Sequence, residues 1–109
     1  MDFKTYQKQA RFTAQYPNLG SNYIYPTLGL VGEAGEVAEK LKKVIRDNKG
    51  IFDEESNKGI KKELGDVLWY LSNLCNEFDF NLEEVAIQNL EKLKIRAAKG
   101  KISGSGDDR

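Results

Sequence analysis

At 109 residues the chain has room for one domain and one small core, a size at which oligomerisation is a natural way to finish burying apolar surface. Lys plus Arg and Asp plus Glu each number 17, so no global field draws nucleic acid or an acidic membrane, and attraction for an anion must be local or carried by a metal ion. With one cysteine, Cys75, and no histidine, an internal disulfide, Cys/His zinc sites and histidine acid–base chemistry are excluded. An enzyme built from these residues works through carboxylates, lysine, arginine, tyrosine or a hard metal. No signal-peptide pattern and no apolar run of membrane-spanning length is visible, which predicts a soluble, cytoplasmic protein.

Phe3 to Tyr16 carries Phe3, Tyr6, Ala10, Phe12 and Tyr16 at helical spacing and predicts a first helix. Pro17 and Pro26 then bracket Asn18 to Tyr25, a segment with Gly20, Ser21 and Asn22 that reads as a loop. Thr27 to Arg46 is periodic, with Leu30, Ala34, Val37, Leu41 and Val44/Ile45 forming one stripe, and Asp47 to Glu54 reads as a connection. A third helix is predicted from about Glu55 to Phe78, with Ile60, Leu64, Val67, Leu71, Leu74 and Phe78 in register. After a break at Asp79 to Asn81, Asn81 with Glu84 three residues on resembles a capping box that opens a fourth helix, running to about Lys99. No β-type alternation persists. The prediction is an all-α four-helix bundle, one domain over residues 1–100, with a Gly/Ser-rich flexible tail at 101–109.

The chain contains an internal echo. Glu33-Ala34-Gly35-Glu36-Val37 with Leu41 reappears as Glu63-Leu64-Gly65-Asp66-Val67 with Leu71. Acids three apart share a helix face, and at roughly 100° per residue each pair falls beside its apolar stripe. If the two stripes pack together, four carboxylates converge at one edge of the core. Gly35 and Gly65 then suit a close approach of the two backbones, since inside a helix each otherwise costs about 1 kcal/mol against Ala. Like charges about 6 Å apart repel by roughly 3 kcal/mol at an effective dielectric near 20. Such crowding calls for cations, and an all-oxygen ligand set selects a hard ion, Mg²⁺ or Mn²⁺, whose usual partner is a phosphate. The competing reading is a solvated face, with Lys40, Lys43, Lys61 and Lys62 as surface partners of the acids.

At these residues the sequence resembles the MazG-type all-α nucleotide pyrophosphohydrolases, a superfamily with dUTP, dCTP and phosphoribosyl-ATP pyrophosphatase members. The signature Glu-x-x-Glu on one helix and Glu-x-x-Asp on the next corresponds to Glu33, Glu36, Glu63 and Asp66. The likeness covers about Tyr25 to the end: Gly29 to Glu39, Glu63 to Leu71, Asn89 to Arg96 and the Gly-Ser-Gly-Asp tail. Gly32 stands where MazG proper has the first of two glutamates. In this the chain is similar to the dCTP-pyrophosphatase-like members, and the change bears on how many metal ions bind.

The resemblance implies Mg²⁺-dependent attack of water between the α- and β-phosphates of a nucleoside triphosphate, giving monophosphate and pyrophosphate, as in nucleotide-pool house-cleaning. By motif position Glu33 orients or deprotonates the water, and Glu33, Glu36, Glu63 and Asp66 form the metal set. Asn89, Lys92 and Arg96 become candidate phosphate contacts, with Lys40 a further one and Tyr70 a candidate nucleotide contact. A (d)NTP is the expected partner, in a homodimer or a dimer of dimers. Two other readings stay open: a non-catalytic helical interaction module, and an enzyme acting on phosphoribosyl-ATP.

Smaller features complete the reading. Tyr23 and Tyr25 either stack on a base or pin their loop. Trp69, on the far side of helix three, marks a subunit interface or packs on helix one. Cys75 is a core residue.

Overall fold

The computed structural model describes residues 1–100; the predicted tail at 101–109 lies outside them. Four helices follow in order: α1 (Phe3–Phe12), α2 (Ile24–Asp47), α3 (Glu54–Glu77) and α4 (Leu82–Ala98). The described residues contain no strand.

Each helix begins where local chemistry permits. The Asp2 carboxylate accepts from Thr5 N at 2.7 Å to open α1. α2 starts earlier than the prolines suggested, at Ile24, with Pro26 inside its first turn. The first four N–H groups of a helix have no internal acceptor, so proline there forfeits nothing. α3 opens on a full capping box that sequence reading missed. The Asp53 carboxylate accepts from Ser56 N (2.8 Å), and Ser56 Oγ accepts from Asp53 N (2.9 Å). The box expected at α4 is half made. Asn81 Oδ1 accepts from Glu84 N, but the Glu84 carboxylate takes Gln88 Nε2 at 3.0 Å instead.

α2 and α3 form a long hairpin and share the broadest helix–helix interface; α1 packs on α3, and α4 on α1. The α2 side of the hairpin seam is Pro26, Gly29/Leu30, Glu33, Val37, Lys40 and Val44, a strict alternation of three and four residues. That line differs from the predicted stripe, for Ala34, Leu41 and Ile45 are exposed, Ile45 to 66 %. The stripe is split because apolar side chains occupy two lines on α2, and one chain can cover only one of them.

On α3 the first half has only its α2-facing line shielded, whereas from Val67 to Glu77 every residue is at least half-buried. α1 and the 13–23 loop cover the other side. Ser72 and Asn73 there have no exposed surface, and both are satisfied within the fold. Ser72 Oγ donates to Leu68 O at 2.8 Å, and Asn73 Nδ2 to Ala10 O and Trp69 O. Gln7 of α1 fastens the α3–α4 turn, its amide donating to Asn76 Oδ1 and Phe80 O while its carbonyl accepts from Leu82 N. Cys75 is buried, as expected for a core thiol.

Candidate metal centre

Glu33 and Glu63 sit in the hairpin seam itself, not at its edge, because each occupies a position of the three–four alternation that α2 and α3 turn toward one another. Asp66, one turn after Glu63, completes a group whose carboxylate oxygens all lie within 4.8 Å of one another. Glu36 is exposed and stands outside that group, although Glu33 feels its charge. A hydrogen bond to Glu63 that only a protonated acid can make, together with burial and the charges of Asp66, Glu63 and Glu36, pushes the Glu33 carboxyl up to about 7. Lys40 brings a cation to the cluster, its Nζ 3.7 Å from Glu63 Oε1.

The donor set fits a divalent hard cation. Three converging carboxylates with no nitrogen or sulfur donor match Mg²⁺ or Mn²⁺, which take oxygen ligands and keep several positions for water or phosphate. Carboxylates crowded together without a cation favour protonation of one of them, as the raised pKa of Glu33 reflects.

Gly35 and Gly65, expected at a close backbone approach, face open space; a Cβ on either meets nothing within 4 Å. The close approach is at Gly29, where a Cβ would fall 2.2 Å from the Tyr70 ring. Tyr70 is thereby seated over the first part of α2, and burial, followed by the charges of Tyr25, Glu33 and Asp66, raises its pKa. Tyr25, in the first turn of α2, lies 6.5 Å from Tyr70 and stacks on Tyr16 at 4.9 Å, so it pins the preceding loop to the helix. Tyr23 tilts against Phe78 and is more than half exposed. Trp69 meets Tyr70 edge-on and donates from Nε1 to Thr13 Oγ1 at 2.7 Å, so it packs where α1 ends.

The α4 candidates differ in exposure. Asn89 is exposed, Lys92 half-buried and Arg96 buried, and Lys92 and Arg96 both have interaction partners.

Two residues near the site were not foreseen. Tyr6 of α1 is close enough for the Asp66 charge to add to burial in raising its pKa. Glu77, its side chain fully buried, accepts from Arg11 Nη2 (2.9 Å), Tyr16 Oη (2.6 Å), Gly20 N (3.0 Å) and Asn22 N (2.7 Å). Burial opposes its ionisation, yet these four donors win and hold it down to about 2. Glu77 thus anchors the loop that carries Tyr16 and leads to Tyr25. Its signal was an acid among Ser72, Asn73 and Asn76, polar residues on a helix too apolar to be solvated on any side.

An all-α hairpin that sets paired acids into its own seam defines a class of helical proteins organised around an acidic phosphate-handling site. The chain belongs to the MazG family: the MazG nucleotide pyrophosphohydrolase domain matches residues 25–100. Among curated proteins it is similar to the "Gene 37 protein" of Mycobacterium phage L5, 45 % identical over an alignment covering 100 % of both chains. No solved structure matches significantly. No helix among the described residues is long and apolar enough to cross a membrane.

Proposed function

We propose that the protein hydrolyses nucleoside triphosphates, in particular deoxynucleoside triphosphates, between the α- and β-phosphates in a Mg²⁺-dependent reaction that releases pyrophosphate. The observation that carries this reading is the convergence of Glu33, Glu63 and Asp66 in the seam of the matched domain. Glu63 and Asp66 would hold the ion with Glu33, and Glu36 would join through a bound water. When bound, the ion neutralises phosphate oxygens and lowers the pKa of a coordinated water. Glu33, beside the ion, would orient the attacking water or take its proton. Tyr70, fixed against Gly29, forms a wall beside the acids on which a base or sugar can rest.

A homo-oligomer, at least a dimer, is part of the same reading. Leu28, Val31 and Ile45 of α2 are each about two-thirds exposed, and Leu64 of α3 about half. Apolar surface of this extent marks an interaction site, and a second copy of the same hairpin offers matching lines. Asn89, Lys92 and Arg96 would contact substrate across that interface. The absence of a membrane-crossing helix among the described residues is compatible with a cytoplasmic enzyme acting on the nucleotide pool.

The test is a panel of dNTPs, NTPs and phosphoribosyl-ATP with purified protein, assayed for pyrophosphate with Mg²⁺ and again with EDTA. Metal-dependent pyrophosphate from at least one dNTP is expected. No pyrophosphate from any substrate would leave a helical interaction module as the better account. Turnover of phosphoribosyl-ATP alone would replace the proposed substrate class.

A further inference from the structure

The hairpin seam carries different chemistry along its length. Going down α2 from its start, Gly29 faces the Tyr70 ring, Glu33 joins the acids, and Lys40 reaches Glu63. Beyond Lys40, where the two helices approach their connection, opens a cleft of about 730 Å³. Its walls carry Lys40 and Lys43 from α2 and Lys58 and Lys62 from α3. Aromatic rings therefore lie on one side of the acids and ammonium groups on the other.

The lysines are not there to neutralise the cleft's own acids. Lys58 and Lys62 make no ion pair among the described residues, Lys43 only a loose one with Glu39 at 4.0 Å, and Lys40 pairs outward with Glu63. Of the acids in the walls, Asp47 takes two 2.8 Å bonds from Arg46, and Asp53 is spent on the α3 cap. Glu55 is exposed. Glu33 and Lys40 are seven residues apart, about 10 Å of helix, but helical side chains lean toward the N-terminus. Lys40 leans that way and brings its ammonium to Glu63, so this one side chain borders both the cleft and the acids.

We propose that this cleft is a diphosphate-binding site. It receives the terminal diphosphate of a nucleotide held at the acids, with Lys40 at the junction and Lys58 and Lys62 as the main cationic contacts. A nucleotide then lies along the seam in one direction, base toward Tyr25 and Tyr70, terminal phosphates toward the hairpin's closed end. Lysine ammonium groups are compact point donors well matched to phosphate oxygens. The identity of the anion rests on the pyrophosphohydrolase reading, but the site itself is testable without turnover.

The test is titration calorimetry of the full chain with inorganic pyrophosphate in EDTA, so that binding reports the lysines and not a metal. Saturable binding that weakens as salt rises is expected. K58Q/K62Q should weaken it by about tenfold or more and K58R/K62R should restore most of it, both with wild-type circular dichroism. Absence of saturable binding, indifference to salt, or K58Q/K62Q within twofold of wild type overturns the proposal. Failure of the pyrophosphohydrolase reading registers separately, as absent nucleotide turnover beside intact pyrophosphate binding.

Discussion

Glu33 and Glu77 are the same residue type on one hairpin, the first half-buried and the second with its side chain fully buried, and the fold treats them in opposite ways. Glu77 is given four donors and kept ionised, at about 2. Glu33 is given other acids and lifted to about 7. A shielded carboxylate surrounded by donors is a strut, complete as folded. One surrounded by carboxylates is incomplete until a cation arrives. Burial pushes both upward; the sign of the neighbours tells them apart.

The comparison breaks first at Glu77. E77A removes the acceptor of four donors and leaves a partly buried guanidinium unpaired, and should cost roughly 3 kcal/mol or more in urea denaturation. Acid should produce the same loss gradually. Glu77 titrates near 2 when folded against an ordinary 4.5, so its contribution is complete above about pH 4.5 and falls away as pH drops toward 2. The amount is on the order of 3 kcal/mol. E77Q should flatten that part of the stability–pH curve, and an unchanged curve would show that Glu77 is not the strut. At the other acid the effect falls on activity. E33Q should lower pyrophosphate release by about 100-fold or more, while its melting temperature holds or rises because a crowded charge is gone; full turnover would remove Glu33 from its role.

The glycines sharpen the contrast at lower cost. G29A must displace the Tyr70 ring, so a loss of about 1–3 kcal/mol is expected by thermal denaturation. G65A meets open space and should raise stability by up to about 1 kcal/mol. Equal effects at the two positions would mean that the Tyr70 contact is not what Gly29 serves.

Much of this was legible in the residues. Acids at 33, 36, 63 and 66, with helical periodicity around them, implied two neighbouring helices with converging carboxylates, and Glu33, Glu63 and Asp66 do converge. Their depth was misjudged. The apolar stripe through Ala34, Leu41 and Ile45 drew the seam onto the wrong line, since periodicity records that a face is apolar and not which neighbour covers it. For the same reason Gly35 and Gly65 were assigned an approach that belongs to Gly29, whose partner Tyr70 is 41 positions away in the chain. The role of Glu77 was not legible because three of its four donors, two of them backbone N–H groups, come from a loop whose path only the fold determines.

The uncovered apolar line of α2 carries a consequence beyond geometry. Among the described residues Ala10, Ala14, Tyr16, Pro26, Val44, Cys75 and Leu82 make up the buried apolar core, a modest set for a chain of this size. If Leu28, Val31 and Ile45 are covered by a second copy, part of the folding free energy is supplied by mass action. The melting temperature would then climb with protein concentration, and dilution alone would act as a denaturant.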